Sequence, residues 1–109
     1  MQFKINNVIW RIVKVNNDEM NEIVSNYRNV EHYEYFRGYT CYVENVIYLN
    51  TINEIDMEYV LRHELIHAYL YSIGMYNSEN YSEEDVCDIA SRSAYIVNEI
   101  VENYFDKER

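Results

Sequence analysis

This chain contains no proline, only two glycines and only two cysteines among 109 residues. Cys41 and Cys87 stand apart with no CxxC spacing, which argues against a disulfide framework or a zinc ribbon. No apolar run approaches the ~18 residues needed to span a bilayer. The first residues also lack the charged-then-apolar layout of a secretory signal, so the expected location is the cytoplasm. Cations are scarce: 9 Lys and Arg face 19 Asp and Glu, for a net charge of −10. Such a surface repels a phosphate backbone, which disfavours nucleic acid as a partner and leaves room for a peptide or protein. Linkers, repeats and low-complexity stretches are missing as well, so residues 1–109 are expected to form one domain with a modest core. Thirteen tyrosines beside so little proline and glycine look like the codon bias of an AT-rich genome, and no single tyrosine carries much meaning.

What the chain does have is Leu61-Arg62-His63-Glu64-Leu65-Ile66-His67-Ala68. On a helix, residues four apart lie ~40° apart in angle and ~6 Å apart along the axis. The His63 and His67 imidazoles can therefore reach one ion from the same face. Glu64, next to His63, can address a water near that ion. Imidazole ligands suit Zn²⁺, and three protein ligands with one open position is the arrangement that activates water. Leu61, Leu65, Ala68 and Ser72 fall on the other side of the helix, where they can pack.

A third ligand has to come from elsewhere, and no histidine follows His67. Carboxylates are available in Ser82-Glu83-Glu84-Asp85-Val86-Cys87-Asp88, where Ser82 and Asp85 have the spacing of a capping box that opens a helix. Glu84 and Asp88 are four apart and share a face, so one can bind a metal while the other accepts the spare N–H of a ligating histidine. Glu83 competes with Glu84 as the ligand, but four residues beyond Glu83 comes Cys87 instead of a carboxylate.

His63-Glu64-x-x-His67, followed by Glu84-x-x-x-Asp88, resembles the gluzincin metallopeptidases, of which thermolysin is the familiar example. The text around the first motif also resembles small phage and bacterial metallopeptidase-like proteins, the minigluzincin type, and more distantly the ImmA/IrrE group. The resemblance covers roughly residues 36 to 92. It implies that His63, His67 and Glu84 are zinc ligands, that Glu64 is the general base, and that Asp88 orients the first histidine. It also implies that the strand before the zinc helix is an exposed edge holding substrate, a place occupied by Val46, Ile47, Tyr48, Leu49 and Asn50. A plain sheet edge is the alternative for that strand. The family's later histidine, which helps the oxyanion, has no counterpart here, leaving Tyr76 or Tyr81 as possible donors.

The remaining pattern predicts an α+β, zincin-like domain: a short antiparallel or mixed sheet packed against the His63–His67 helix and a long C-terminal helix. Val8 to Val15 reads as a strand, Asn16-Asn17-Asp18 as a turn and cap, and Asp18 to about Tyr27 as a helix. Met1 to Asn7 is ambiguous, and His32 reads as a surface histidine. Tyr39–Val43 and Val46–Asn50 form a hairpin with Asn45 at positive φ. Asn53 is a candidate cap for the zinc helix, and Gly74 its C-terminal stop. From Ser82 apolar residues recur at three and four to Tyr104. The functional expectation is a zinc-dependent peptide hydrolase. The alternative is a non-catalytic, zinc-stabilised module that binds or inhibits a host protein.

Overall fold

The computed structural model describes residues 1–27, 36–75 and 81–108. The chain begins with a strand the sequence left ambiguous, β1 (Gln2–Ile5), which pairs antiparallel with β2 (Val8–Val15). Asn6 and Asn7 turn the chain with φ of 48° and 70°. A two-residue hairpin turn of this kind needs positive φ at both positions, and asparagine tolerates it. Helix α1 (Asn17–Tyr27) follows, capped reciprocally: Asn16 Oδ1 accepts from Glu19 N at 2.8 Å and Asn16 N donates to Glu19 Oε1 at 3.1 Å.

Two further strands, β3 (Gly38–Cys41) and β4 (Val46–Asn50), form the expected antiparallel hairpin, with Asn45 at φ 56°. The sheet order is β1-β2-β4-β3, mixed, with β2 and β4 parallel. This corrects one expectation: Val46–Asn50 is not an edge. It hydrogen-bonds on both sides, and among the described strands the edges are β1 and, next to β4, β3. The cause is legible in composition, because Val46, Ile47, Tyr48 and Leu49 form an unbroken apolar run and every residue of β4 is buried. Such runs belong to strands covered on both faces. One face packs Trp10, Ile12, Ile47 and Leu49 against two helices described next, and the other packs Val15, Val46 and Tyr48 against Met20 and Val24 of α1.

After β4 a 3₁₀ turn (Thr51–Asp56) leads into α2 (Met57–Ser72). Asp56, not Asn53, occupies the N-cap position of α2, and Asn50 caps the 3₁₀ turn before it. Asn50 Oδ1 accepts from Ile52 N at 3.0 Å, while its Nδ2 donates to Phe36 O and Asn17 Oδ1 at 2.9 Å each. Helix α2 ends as expected on Gly74 (φ 75°), with Gly74 N donating to Tyr71 O and Met75 N to Leu70 O. These paired bonds satisfy carbonyls the helix end would otherwise orphan.

The last helix, α3 (Glu83–Glu108), starts on the predicted box: Ser82 N donates to Asp85 Oδ2 and Asp85 N to Ser82 Oγ, both at 3.1 Å. Its later half buries Val97, Ile100, Val101 and Tyr104 against Leu61, Leu65 and Ala68 of α2. Arg62 Nη1 also donates to Asn98 Oδ1 at 2.7 Å across the pair. From Glu83 to Arg92 the side chains are mostly exposed. Among the described residues, no helix is long and apolar enough to cross a membrane.

Candidate functional site

Because Leu61, Leu65 and Ala68 anchor one side of α2 at 0 % exposure, the helix cannot rotate, and its opposite stripe is held outward. That stripe carries Tyr59, His63 and His67 at four-residue intervals. The Nε2 atoms of His63 and His67 lie 3.2 Å apart. Two imidazole nitrogens bound tetrahedrally to one Zn²⁺ at ~2.0–2.1 Å would be ~3.3 Å apart, so the pair has the separation that such an ion requires. Glu64 completes the group. Its carboxylate and the two rings offer ligand atoms all within 4.8 Å of one another, the one cluster of this kind among the described residues.

Glu64 lies between α2 and the edge strand β3. Gly38 makes that close approach possible: a Cβ there would stand 2.7 Å from Val60 Cγ1 and 2.9 Å from Glu64 Cγ. Two residues on, Thr40 Oγ1 lies 3.1 Å from the Glu64 carbonyl and 3.4 Å from Glu64 Oε1. The Glu64 carboxyl, 7 % exposed, is pushed up to about 7 by loss of hydration, with the Thr40 hydroxyl opposing the shift. Burial, and then the neighbouring His63, lower the pKa of His67. Both effects keep that ring neutral, the form that binds a metal.

These groups open into a cleft of about 570 Å³ between α2 and β3, lined by Phe36, Arg37 and Tyr39 as well as Gly38, Thr40, His63, Glu64 and His67. Tyr59 also lines it, its ring 6.4 Å from that of His63. Tyr42, another lining residue, stacks on Tyr71 at 4.8 Å, and Tyr71 meets Trp10 edge-on at 6.1 Å. Arg37 is paired with Asp56 at 3.4 Å.

The expected residues are therefore only partly assembled. His63, Glu64 and His67 converge. Glu84, its competitor Glu83, and Asp88 are exposed on the first turns of α3 and are not members of the cluster. Tyr81 does not line the cleft, and its hydroxyl donates to the Met75 carbonyl. Tyr76 and His32 lie outside the described residues. Of the strand Val46–Asn50, no residue lines the cleft; Gly38, Tyr39 and Thr40 of β3 do. Both cysteines are free thiols, Cys41 buried and Cys87 exposed.

Reading the sequence missed Gly38, Thr40, Tyr42 and Tyr59 as cleft residues. Tyr59 had a signal, since it precedes His63 by one helical turn on the same face. Gly38 and Thr40 had none, because their role depends on which strand lies beside α2. Comparison of the chain with known protein families, with curated proteins and with solved structures finds no match.

Proposed function

We propose that this chain is a zinc-dependent peptide hydrolase in which His63 and His67 hold the ion and Glu64 is the general base. The observation that carries the reading is the convergence of two imidazole nitrogens 3.2 Å apart with a buried carboxylate, at the floor of an open cleft. A bound zinc ion supplies Lewis acidity toward a water and a carbonyl oxygen. Glu64 takes the proton from the attacking water and returns it to the leaving amine nitrogen, a role suited to a carboxyl whose pKa lies near neutrality. The outward side of β3 offers backbone N–H and C=O groups to an extended peptide, a common mode of peptide recognition. The donor set supports zinc over harder cations, since two imidazoles favour a borderline metal. Glu84 is the proposed third ligand and Asp88 its companion toward a histidine. In the arrangement described here neither is within the histidine cluster, so their roles require the first turns of α3 to approach α2 when metal binds.

The test combines metal analysis with a peptide-library digest, zinc-loaded wild type beside Glu64→Gln. The expected outcome is one zinc per chain in both proteins, cleavage by the wild type, and a rate about 10²–10⁴-fold lower in the variant. A wild type that binds no zinc overturns the reading. Equal zinc binding with no cleavage by either protein would instead identify a non-catalytic zinc-stabilised binding module.

A further inference from the structure

The edge strand does more than border the cleft. Gly38 and Thr40 alternate along β3 with Tyr39 between them, so both turn the same way, toward α2. Each meets Glu64 at a different point. Gly38 leaves the space that the Glu64 Cγ and Cδ occupy, at 2.9 and 3.3 Å from where a Cβ would stand. The single hydroxyl proton of Thr40 is shared between two Glu64 oxygens, its Oγ1 lying 3.1 Å from the backbone carbonyl and 3.4 Å from Oε1. Thr40 is itself buried, 6 % exposed, so this hydroxyl is not spent on solvent.

We infer that Thr40 is a positioning residue for Glu64, fixing its carboxylate at the cleft floor through a slot that Gly38 keeps open. The inference rests on the hydrolase reading, in which Glu64 acts as the base. A glutamate has three side-chain torsions, and only some of their combinations aim the carboxylate at a water held beside His63 and His67. The branched Cβ of threonine restricts χ1, which makes it a stiffer tether than an unbranched side chain. Valine matches threonine in shape while removing the hydroxyl, and serine keeps the hydroxyl while losing the methyl, so the two substitutions separate tether from packing. The Gly38 slot makes a second demand: any side chain there must push against Val60 or displace Glu64.

The experiment measures zinc content, melting temperature, kcat and KM for zinc-loaded wild type, Thr40→Val, Thr40→Ser, Gly38→Ala and Glu64→Gln, with a quenched-fluorescence peptide selected from a library by the wild type. For Thr40→Val, kcat is expected to fall about tenfold or more, the scale of a lost hydrogen bond to a charged group. KM and zinc content should stay as in the wild type, and Thr40→Ser should restore most of kcat. Gly38→Ala should lower kcat likewise, again with zinc retained. If the wild type cleaves and Glu64→Gln does not, while Thr40→Val keeps full kcat, the inference falls and the hydrolase reading stands. Loss of zinc or of melting temperature in step with activity, in both threonine variants, would reduce Thr40 to a packing residue and overturn it. A wild type that cleaves nothing removes both readings together.

Discussion

His63–His67 and Glu84–Asp88 have the same spacing on two helices that pack together, yet they sit in different surroundings. The histidine pair lies on a helix whose opposite side is buried along its length by Leu61, Leu65 and Ala68. The carboxylate pair lies on the exposed half of α3, where Val86 is 54 % exposed and the buried residues begin only at Ser93. Four-residue spacing thus aligns two side chains within one helix. It does not fix where that helix stands relative to another, which depends on apolar burial. In α3 that burial is concentrated from Val97 to Tyr104. Regions with few buried contacts open at low free-energy cost, so the first turns of α3 are the part of the site most open to adjustment by a ligand.

The contrast between the two halves of α3 is the easiest to break. Ile100→Ala should cost about 2–5 kcal/mol, as large-to-small changes in a packed core do. Val86→Ala should stay within about 0.5 kcal/mol. Denaturant titration measures both, and comparable losses would mean that the early turns are packed after all.

A second prediction concerns the packed side of the site, in protein stripped of metal by a chelator. The Glu64 carboxyl has its pKa raised from 4.5 to about 7 in the fold, so folding favours its protonated form. This contribution is full below about pH 4.5 and is lost as the pH rises to about 7 and beyond. At 1.36 kcal/mol per unit the change amounts to about 3 kcal/mol. The stability of Glu64→Gln relative to wild type should therefore rise by that order between pH 4 and pH 8. A pH-independent difference would show that the carboxyl is hydrated in the folded state.

The third prediction sharpens the comparison directly. With zinc added, amide exchange at residues 83–92 should slow in wild type and in Glu83→Ala, and remain fast in Glu84→Ala. Zinc affinity should fall on the order of 10–100-fold in Asp88→Asn, the scale of losing a ligand's hydrogen-bonding partner, and at least as far in Glu84→Ala. Identical zinc binding by the Glu83 and Glu84 variants would remove Glu84 from the ligand set.

Local signals in the sequence were reliable apart from the Asn53 cap. The Ser82–Asp85 box, Gly74 as the stop of α2 and Asn45 in the β3–β4 turn all stand where short-range chemistry put them. The HExxH helix was equally legible, since its period separates Leu61, Leu65 and Ala68 from the histidines. Strand order was not. β1 has four residues and gains its identity only by pairing with β2, although Asn6-Asn7 was a usable turn signal. Taking β4 for an edge overlooked the meaning of four successive apolar residues. That choice in turn hid Gly38 and Thr40, because no periodicity reports which backbone runs beside the Glu64 carboxylate.

The row of rings that begins at Tyr42 has a practical consequence. Trp10 is the chain's single tryptophan, fully buried, and it touches Tyr71, which stacks on Tyr42 at the cleft wall. The molecule therefore carries an intrinsic optical gauge two contacts from its open groove. Any occupant that displaces Tyr42 alters the surroundings of that indole, and a change in its emission would register filling of the groove without a label and without turnover.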